Sequence, residues 1–360
     1  MPVLTPHTPS YPRASTTFRA AWWLPGPHLP TLWGKLARRR PRLATTVERW
    51  LTPDDDWLAV HRLAAAPGAP RVLILHGLEG SARSHYAMGM LAEARRRGWE
   101  AAVLQFRSCG GALNEQPRFY HSGETTDLAL VVRRMAREAP GVPLGLIGVS
   151  LGGNVLLKWL GEAVSEMPPE VHAAAAVSVP FDLGRGARHI DRGFSRVYQA
   201  HFLRSLRRKA LQKLERFPGL FDRAALDAAR TLADFDDAVT APVHGFAGAD
   251  DYYVRSSSLR FLNAIRRPTL LLAAVDDPFL PAVVLDEVRA IANTNPALTL
   301  EFHPHGGHAG FVGGGAPWRA VYHAERRALD FLTERLPAER PSAGLPAAVP
   351  GGLRHLPDDL

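Results

Sequence analysis

A serine held between glycines, Gly148-Val149-Ser150-Leu151-Gly152, stands between a short apolar run, Leu144 to Val149, and a segment in which Val155, Leu156, Trp159 and Leu160 recur at helical spacing. Few folds accept such a sequence. The apolar run is short enough for a buried strand, and the glycine-flanked serine at its end demands a sharp strand-to-helix turn whose strained backbone needs small neighbours. That turn leaves the serine hydroxyl at the carboxyl end of a sheet, with the free amides of a helix N-terminus aimed at it. The bare pattern is weak evidence: with Gly and Ser at roughly 7% each it arises in about one chain in ten of this length. It becomes specific only if the rest of the chain supplies a base, an orienting acid and an oxyanion site.

The base belongs on a late loop. His308 lies in Pro304-His305-Gly306-Gly307-His308-Ala309-Gly310-Phe311, directly after the strand-like run Leu298 to Phe302, where glycines let a loop turn tightly over a sheet. His303 and His305 compete from the same segment. The acid belongs at the end of another strand between serine and histidine. Thr269 to Val275 is such a strand, and Asp276-Asp277-Pro278-Phe279-Leu280-Pro281 comes directly after it. Either aspartate can hold one imidazole nitrogen and stabilise the imidazolium, and the other suits a turn or helix cap. For the oxyanion, the amide after the nucleophile, Leu151, is one donor. The turn His76-Gly77-Leu78-Glu79-Gly80 after the strand Val72 to Leu75 supplies a second, assigned to Leu78.

Around these residues strand and helix alternate: a hairpin of opening strands at Thr45 to Trp50 and Trp57 to Arg62, then Val72 to Leu75, a helix around Tyr86 to Arg97, Ala101 to Phe106, a helix over Asp127 to Arg137, the strand before the serine, and Ala173 to Ser178. Such alternation predicts an α/β fold with a mostly parallel central sheet flanked by helices. The expected organisation is an N-terminal arm over 1–41 with a short helix near Thr31 to Arg38, a main domain over 42–336 with a helical cap inserted at about 181–267, and a Pro-, Ala- and Gly-rich disordered tail over 337–360. Within the cap, Phe202, Leu203, Leu206, Ala210 and Leu214 fall on one helical face with cations opposite. The plain expectation is an apolar face on the core and solvated charges; the sharper one is a basic surface that meets anionic lipid or an acyl substrate. Arg107 and Tyr120 are candidates to line a pocket, with Arg107 alternatively pairing a carboxylate such as Glu124. Asp250, Asp251, Tyr252 and Tyr253 read as turn and packing residues.

The order serine, aspartate, histidine on successive strand ends resembles the α/β-hydrolases. Six blocks narrow the resemblance: His76-Gly77-Leu78-Glu79-Gly80-Ser81, Phe106-Arg107-Ser108-Cys109-Gly110-Gly111, Tyr120-His121-Ser122-Gly123-Glu124, Gly152-Gly153-Asn154, Val179-Pro180-Phe181-Asp182-Leu183 and Gly306-Gly307-His308. Together they look like the YheT-like branch of that superfamily, from about Pro27 to Val312. The resemblance implies a serine carboxylic-ester hydrolase acting on short-chain acyl esters, acylglycerols or related lipids, with no cofactor and no metal. It carries the charge-relay serine onto Ser150, the aspartate onto the Asp276-Asp277 pair and the histidine onto His308. Hydrolases of this kind commonly place the acid four residues before a loop proline, here Pro281, which favours Asp277. Where the family leads one to expect phenylalanine before the serine, this chain has Val149, a change bearing on the acyl pocket rather than on the chemistry. An acyltransferase or thioesterase on the same fold is the nearest rival, and a non-catalytic binding protein is the rival from another class.

Composition sets the outer bounds. An apolar content of 46% fills a sizeable core. One cysteine, Cys109, excludes an internal disulfide and any paired-Cys metal motif, which fits a reduced, cytoplasmic compartment. No run reaches the roughly 18 apolar residues of a spanning helix, and Met1 to Pro6 lacks the charged start and apolar stretch of a signal peptide. The formal charge is +8, with basic clusters at Lys35 to Arg40, Arg95 to Arg97 and Arg207 to Lys209. No nucleic-acid motif accompanies them, so the expected partner is a small ester or lipid and not nucleic acid, with the basic cap helix as a candidate peripheral membrane contact.

Overall fold

The computed structural model describes residues 17–336. The expectations for residues 1–16 of the arm and for the tail at 337–360 lie outside the described residues. Among its described residues the arm carries one helix, α1 (His28–Leu36), and leads into an antiparallel hairpin of β1 (Thr46–Leu51) and β2 (Trp57–Leu63). Then come β3 (Arg71–Leu75), α2 (His85–Arg96), β4 (Glu100–Gln105), α3 (Thr126–Glu138), β5 (Leu144–Val149), α4 (Leu151–Glu162) and β6 (Val171–Val177). After an interruption the sheet resumes with β7 (Thr269–Ala274), α11 (Val283–Ala292) and β8 (Leu298–His303), followed by a small ladder of β9 (Val312–Gly313) and β10 (Val321–Tyr322) and by α12 (His323–Arg335).

The sheet has eight strands in the order β1-β2-β4-β3-β5-β6-β7-β8, parallel from β4 to β8. Every residue of β3, β5 and β7 is buried, as expected of strands covered on both faces. On one face Val131, Val132 and Met135 of α3 and Val155 and Leu156 of α4 pack against the sheet. On the other lie Met90, Leu91 and Ala94 of α2 and Ala328, Leu329 and Leu332 of α12. The chain winds outward from β3 to β4 and then crosses back to place β5 on the opposite side of β3. The crossovers diverge there, so a crevice opens at the carboxyl ends of β3 and β5, where His76-Gly77 and Ser150 emerge.

Between β6 and β7 the chain leaves the sheet as α5 (Leu183–Ile190), α6 (Ser195–Arg216), α7 (Arg223–Ala228), α8 (Leu232–Phe235), α9 (Ala241–His244) and α10 (Ala249–Ser256). These helices have a small core of their own, including Leu203, Ala210, Phe221, Leu226, Phe235 and Val239. The expectation of one apolar and one solvated face on α6 needs correcting. Lys209 and Lys213 are both buried: Lys209 pairs with Glu79, and Lys213 donates to the carbonyls of Asn114 (2.8 Å) and Gln116. The helix is sandwiched, with Leu203 and Ala210 facing its neighbours in the insertion and the two lysines facing the loops after β3 and β4. A one-sided reading assumes a single buried face, which a helix packed between two layers does not have. Arg204 and Arg208 remain exposed.

Candidate active site

Ser150 ends β5 with φ 54° and ψ −123°, a strained conformation for a residue with a side chain. The close packing of this turn explains its glycines. A Cβ on Gly148 would meet the Gly152 carbonyl oxygen at 2.5 Å, and one on Gly152 would meet the His76 carbonyl oxygen at 2.5 Å. Alanine fits at neither position without moving backbone. The Ser150 amide is tied to Val177 of β6 at 2.8 Å, so the turn is held to that neighbouring strand.

Ser150 Oγ lies 2.9 Å from His308 Nε2, and His308 Nδ1 lies 2.8 Å from Asp277 Oδ2. A carboxylate at Nδ1 holds the proton there and leaves Nε2 free to accept the serine proton. Asp277 is buried, and Asp276 points elsewhere: one oxygen accepts from the amides of Gly306 (2.9 Å) and Gly307 (3.0 Å), the other contacts His305 at 3.2 Å. The two adjacent carboxylates therefore divide between the imidazole and the loop that carries it. Neither His303 nor His305 approaches Ser150; His305 is largely exposed, and His303 packs against Phe18 and His323. The loop is pinned from three directions, since Thr31 Oγ1 of α1 accepts from the His308 amide, Ser178 Oγ from that of Ala309, and Phe279 stacks on the His308 ring at 4.1 Å.

The turn after β3 faces Ser150, with Gly77 so close that a Cβ there would come within 3.1 Å of Ser150 Cβ. Its amides have distinct fates. Gly77 donates to Tyr86 Oη, Glu79 to Tyr120 Oη and Gly80 to the Gly77 carbonyl, which leaves that of Leu78 for an outside acceptor. Leu151, the first residue of α4, has an amide with no intrahelical acceptor. His76 braces the turn: its Nδ1 donates to the Gly77 carbonyl at 2.8 Å and its Nε2 accepts from the Phe106 amide at 3.2 Å. Burial pushes this imidazole down to about 4, which matches a neutral ring making one bond of each kind.

Glu79 sits at φ 53° with its carboxylate enclosed by Tyr120, Ser205 and Lys209, so α6 of the insertion grips the same turn. Sequence reasoning did not single out Glu79, Tyr86, Phe279, Thr31 or Ser178. Only Glu79 carries a usable signal, a charged residue inside a glycine turn between two apolar segments. Arg107 is a correction: it neither lines the cavity nor pairs with Glu124, but is buried among Asp54, Asp56 and Asp127, while Arg118 takes Glu124. The hairpin turn that supplies Asp54 and Asp56 is remote in sequence, so no local pattern announces it. Tyr252 and Tyr253 reach the cavity wall as well as packing there. The Cys109 thiol is buried and pushed up to about 12, an inert position for a thiol.

Above the serine lies a cavity of about 620 Å³ bounded by the sheet crevice and the inserted helices. Leu78, Ser150, Leu151 and His308 form its floor, and its walls are mainly apolar, including Leu183, Ile190, Phe194, Phe202 and Phe279. Val149, where phenylalanine was expected, is also part of the lining.

Comparison with known proteins adds relatives to this geometry. The family described as "alpha/beta hydrolase fold" matches residues 70–314. "Putative esterase YheT" of Escherichia coli is 38% identical over 87% of this chain and 92% of its own length. "Phospholipase ABHD3" of Mus musculus is 31% identical over 70% of this chain, and "Monoacylglycerol lipase" of Saccharomyces cerevisiae is 30% identical over 73%. The chain spans only 61% and 58% of these two proteins. Among solved structures, the Pyrococcus furiosus esterase Pf2001 superposes with a TM-score of 0.54 at 17% identity, over 82% of this chain and 92% of that one, a likeness of fold alone.

Proposed function

This chain belongs to the YheT-like branch of the α/β-hydrolase family and is a hydrolase, and from that premise we propose that it is a serine carboxylic-ester hydrolase working through an acyl-enzyme on Ser150. The observation that carries the reading is the unbroken hydrogen-bond chain from Asp277 through His308 to Ser150 beneath an apolar cavity. His308 Nε2 takes the serine proton as Oγ attacks the ester carbonyl. The amides of Leu78 and Leu151 hold the oxyanion, and the buried carboxylate of Asp277 stabilises the imidazolium. His308 then hands its proton to the departing alcohol and activates a water that releases the acid and frees Ser150. No step calls for a cofactor or metal.

The apolar walls suit the acyl chain of short-chain esters or monoacylglycerol-like lipids, and we assign the helices over about 181–267 the role of a cap that shapes this chamber. A series of nitrophenyl esters of increasing acyl length, run on the wild type and on Ser150→Ala, tests the reading. Ordinary turnover by Ser150→Ala overturns it. Failure of a fluorophosphonate probe to label Ser150 in folded protein points instead to a binding role, and acyl transfer to an added alcohol in preference to water points to a transferase. Exposed Arg204 and Arg208 support peripheral contact with anionic lipid. Co-sedimentation with anionic and neutral vesicles tests that contact, and equal binding to both removes it.

A further inference from the structure

The sheet edge formed by β8 carries a second group of chemically capable residues, outside the Ser150 cavity. Glu301 and His303 are two apart on the strand and so share a face. His323 opens α12 on the same side. Among the described residues these three form the one cluster of metal-capable side chains, with ligand atoms all within 4.8 Å of one another. Glu301 Oε2, His303 Nε2 and His323 Nε2 are also each buried without a hydrogen-bond partner. A buried polar atom left unpaired costs about 1–3 kcal/mol, and native proteins leave few. Three unpartnered polar atoms on the three residues of one close cluster call for a common partner.

The surroundings are those of a built site. Arg327 Nε donates to the other Glu301 oxygen at 2.7 Å, fixing the carboxylate with Oε2 turned toward the histidines. The Arg327 charge is shared with Glu334 at 3.5 Å, which lowers its opposition to a nearby cation. Phe18 stacks on His323 at 5.0 Å and meets His303 edge-on at 5.3 Å, while Phe311 lies edge-on to His303 at 6.2 Å. An apolar shell of this kind limits solvent access to the site.

We propose that Glu301, His303 and His323 bind a single divalent transition-metal cation, zinc in the first instance. Two imidazoles and one carboxylate form a donor set that zinc takes tetrahedrally with one solvent ligand. With bonds of about 2.1 Å, metal binding draws the ligand atoms in to roughly 3.4 Å of one another. The ion ties β8 to α12 and to the segment around Phe18. It stands at the base of the loop that carries His308, and it has no part in bond making.

The test uses full-length protein stripped with a chelator and titrated with zinc alone. One equivalent binds per chain and raises the melting temperature. In His303→Asn/His323→Asn the affinity falls by about 100-fold or more while ester hydrolysis at 25 °C persists, so this outcome is separable from that for Ser150. Cobalt(II) added to the stripped wild type gives the intense visible absorption of a tetrahedral site, an arm that needs no variant. Zinc binding unchanged in the double variant, absence of a tetrahedral cobalt spectrum, or a melting temperature indifferent to zinc each overturns the proposal.

Discussion

Asp276 and Asp277 share composition, neighbours and a place at the end of β7, yet one faces the imidazole and the other the amides of its loop. Their amide variants separate the roles. Asp277→Asn leaves His308 in the wrong tautomer, and kcat is expected to fall by about 10⁴ with the fold intact. Asp276→Asn loosens the Gly306-Gly307 turn, costs about 1–2 kcal/mol in a denaturant melt, and lowers kcat far less. Equal losses of kcat in the two variants would contradict this division. At Ser150 itself, Ser150→Ala is expected to cost about 10⁶ in kcat with little change in stability. Alanine meets the same backbone strain at this turn as serine does, so the variant is expected to lose the hydroxyl and not the fold.

The turn after β3 is the element on which the proposed oxyanion donor and the inserted helices meet. Lys209 and Ser205 of α6 and Tyr120 of the loop after β4 all converge on Glu79, next to the amide assigned to the oxyanion. Glu79→Ala removes this grip, and kcat is expected to drop about 10- to 100-fold with KM changed much less, since the loss falls on a donor that acts at the tetrahedral stage. Glu79→Gln keeps an acceptor for Tyr120 and turns an amide N–H toward the Ser205 hydroxyl, which can accept it, and recovers part of the rate. A variant with unaltered kcat would mean that the turn holds its shape unaided. The strands and helices that supply these residues were legible, because continuous apolar runs mark buried strands and helical spacing marks α3, α4 and α6. The two-sided burial of α6 was not: Lys209 and Lys213 carry the sequence signal of solvent, and only a carboxylate and two carbonyls from distant loops turn them inward.

Over the whole molecule, the cavity arises between sheet and inserted helices and belongs to neither alone. Phe202→Trp adds bulk to its wall and is expected to shift the preferred acyl chain to a shorter one, read from kcat/KM along an ester series; an unmoved optimum would place the acyl chain elsewhere. Buried histidines bind the fold to pH. Burial lowers His76, His85 and His121 from the ordinary 6.5 to about 4. The unfolded chain therefore binds more protons than the native one between these values, and stability declines as pH falls from about 6.5 to 4. Thermal melts across that range check it, and His85→Leu is expected to melt with a shallower pH slope. The sequence by itself determined the sheet, its parallel run and the serine elbow, because strand and helix periodicity and the need for glycine at a tight turn are local properties of the chain. The tertiary structure alone decided where Asp276 turns once Asp277 takes His308, where Arg107 finds its carboxylates and how His323 joins Glu301 and His303. These depend on the direction a side chain takes once strands far apart in sequence lie side by side, and no local spacing encodes that direction.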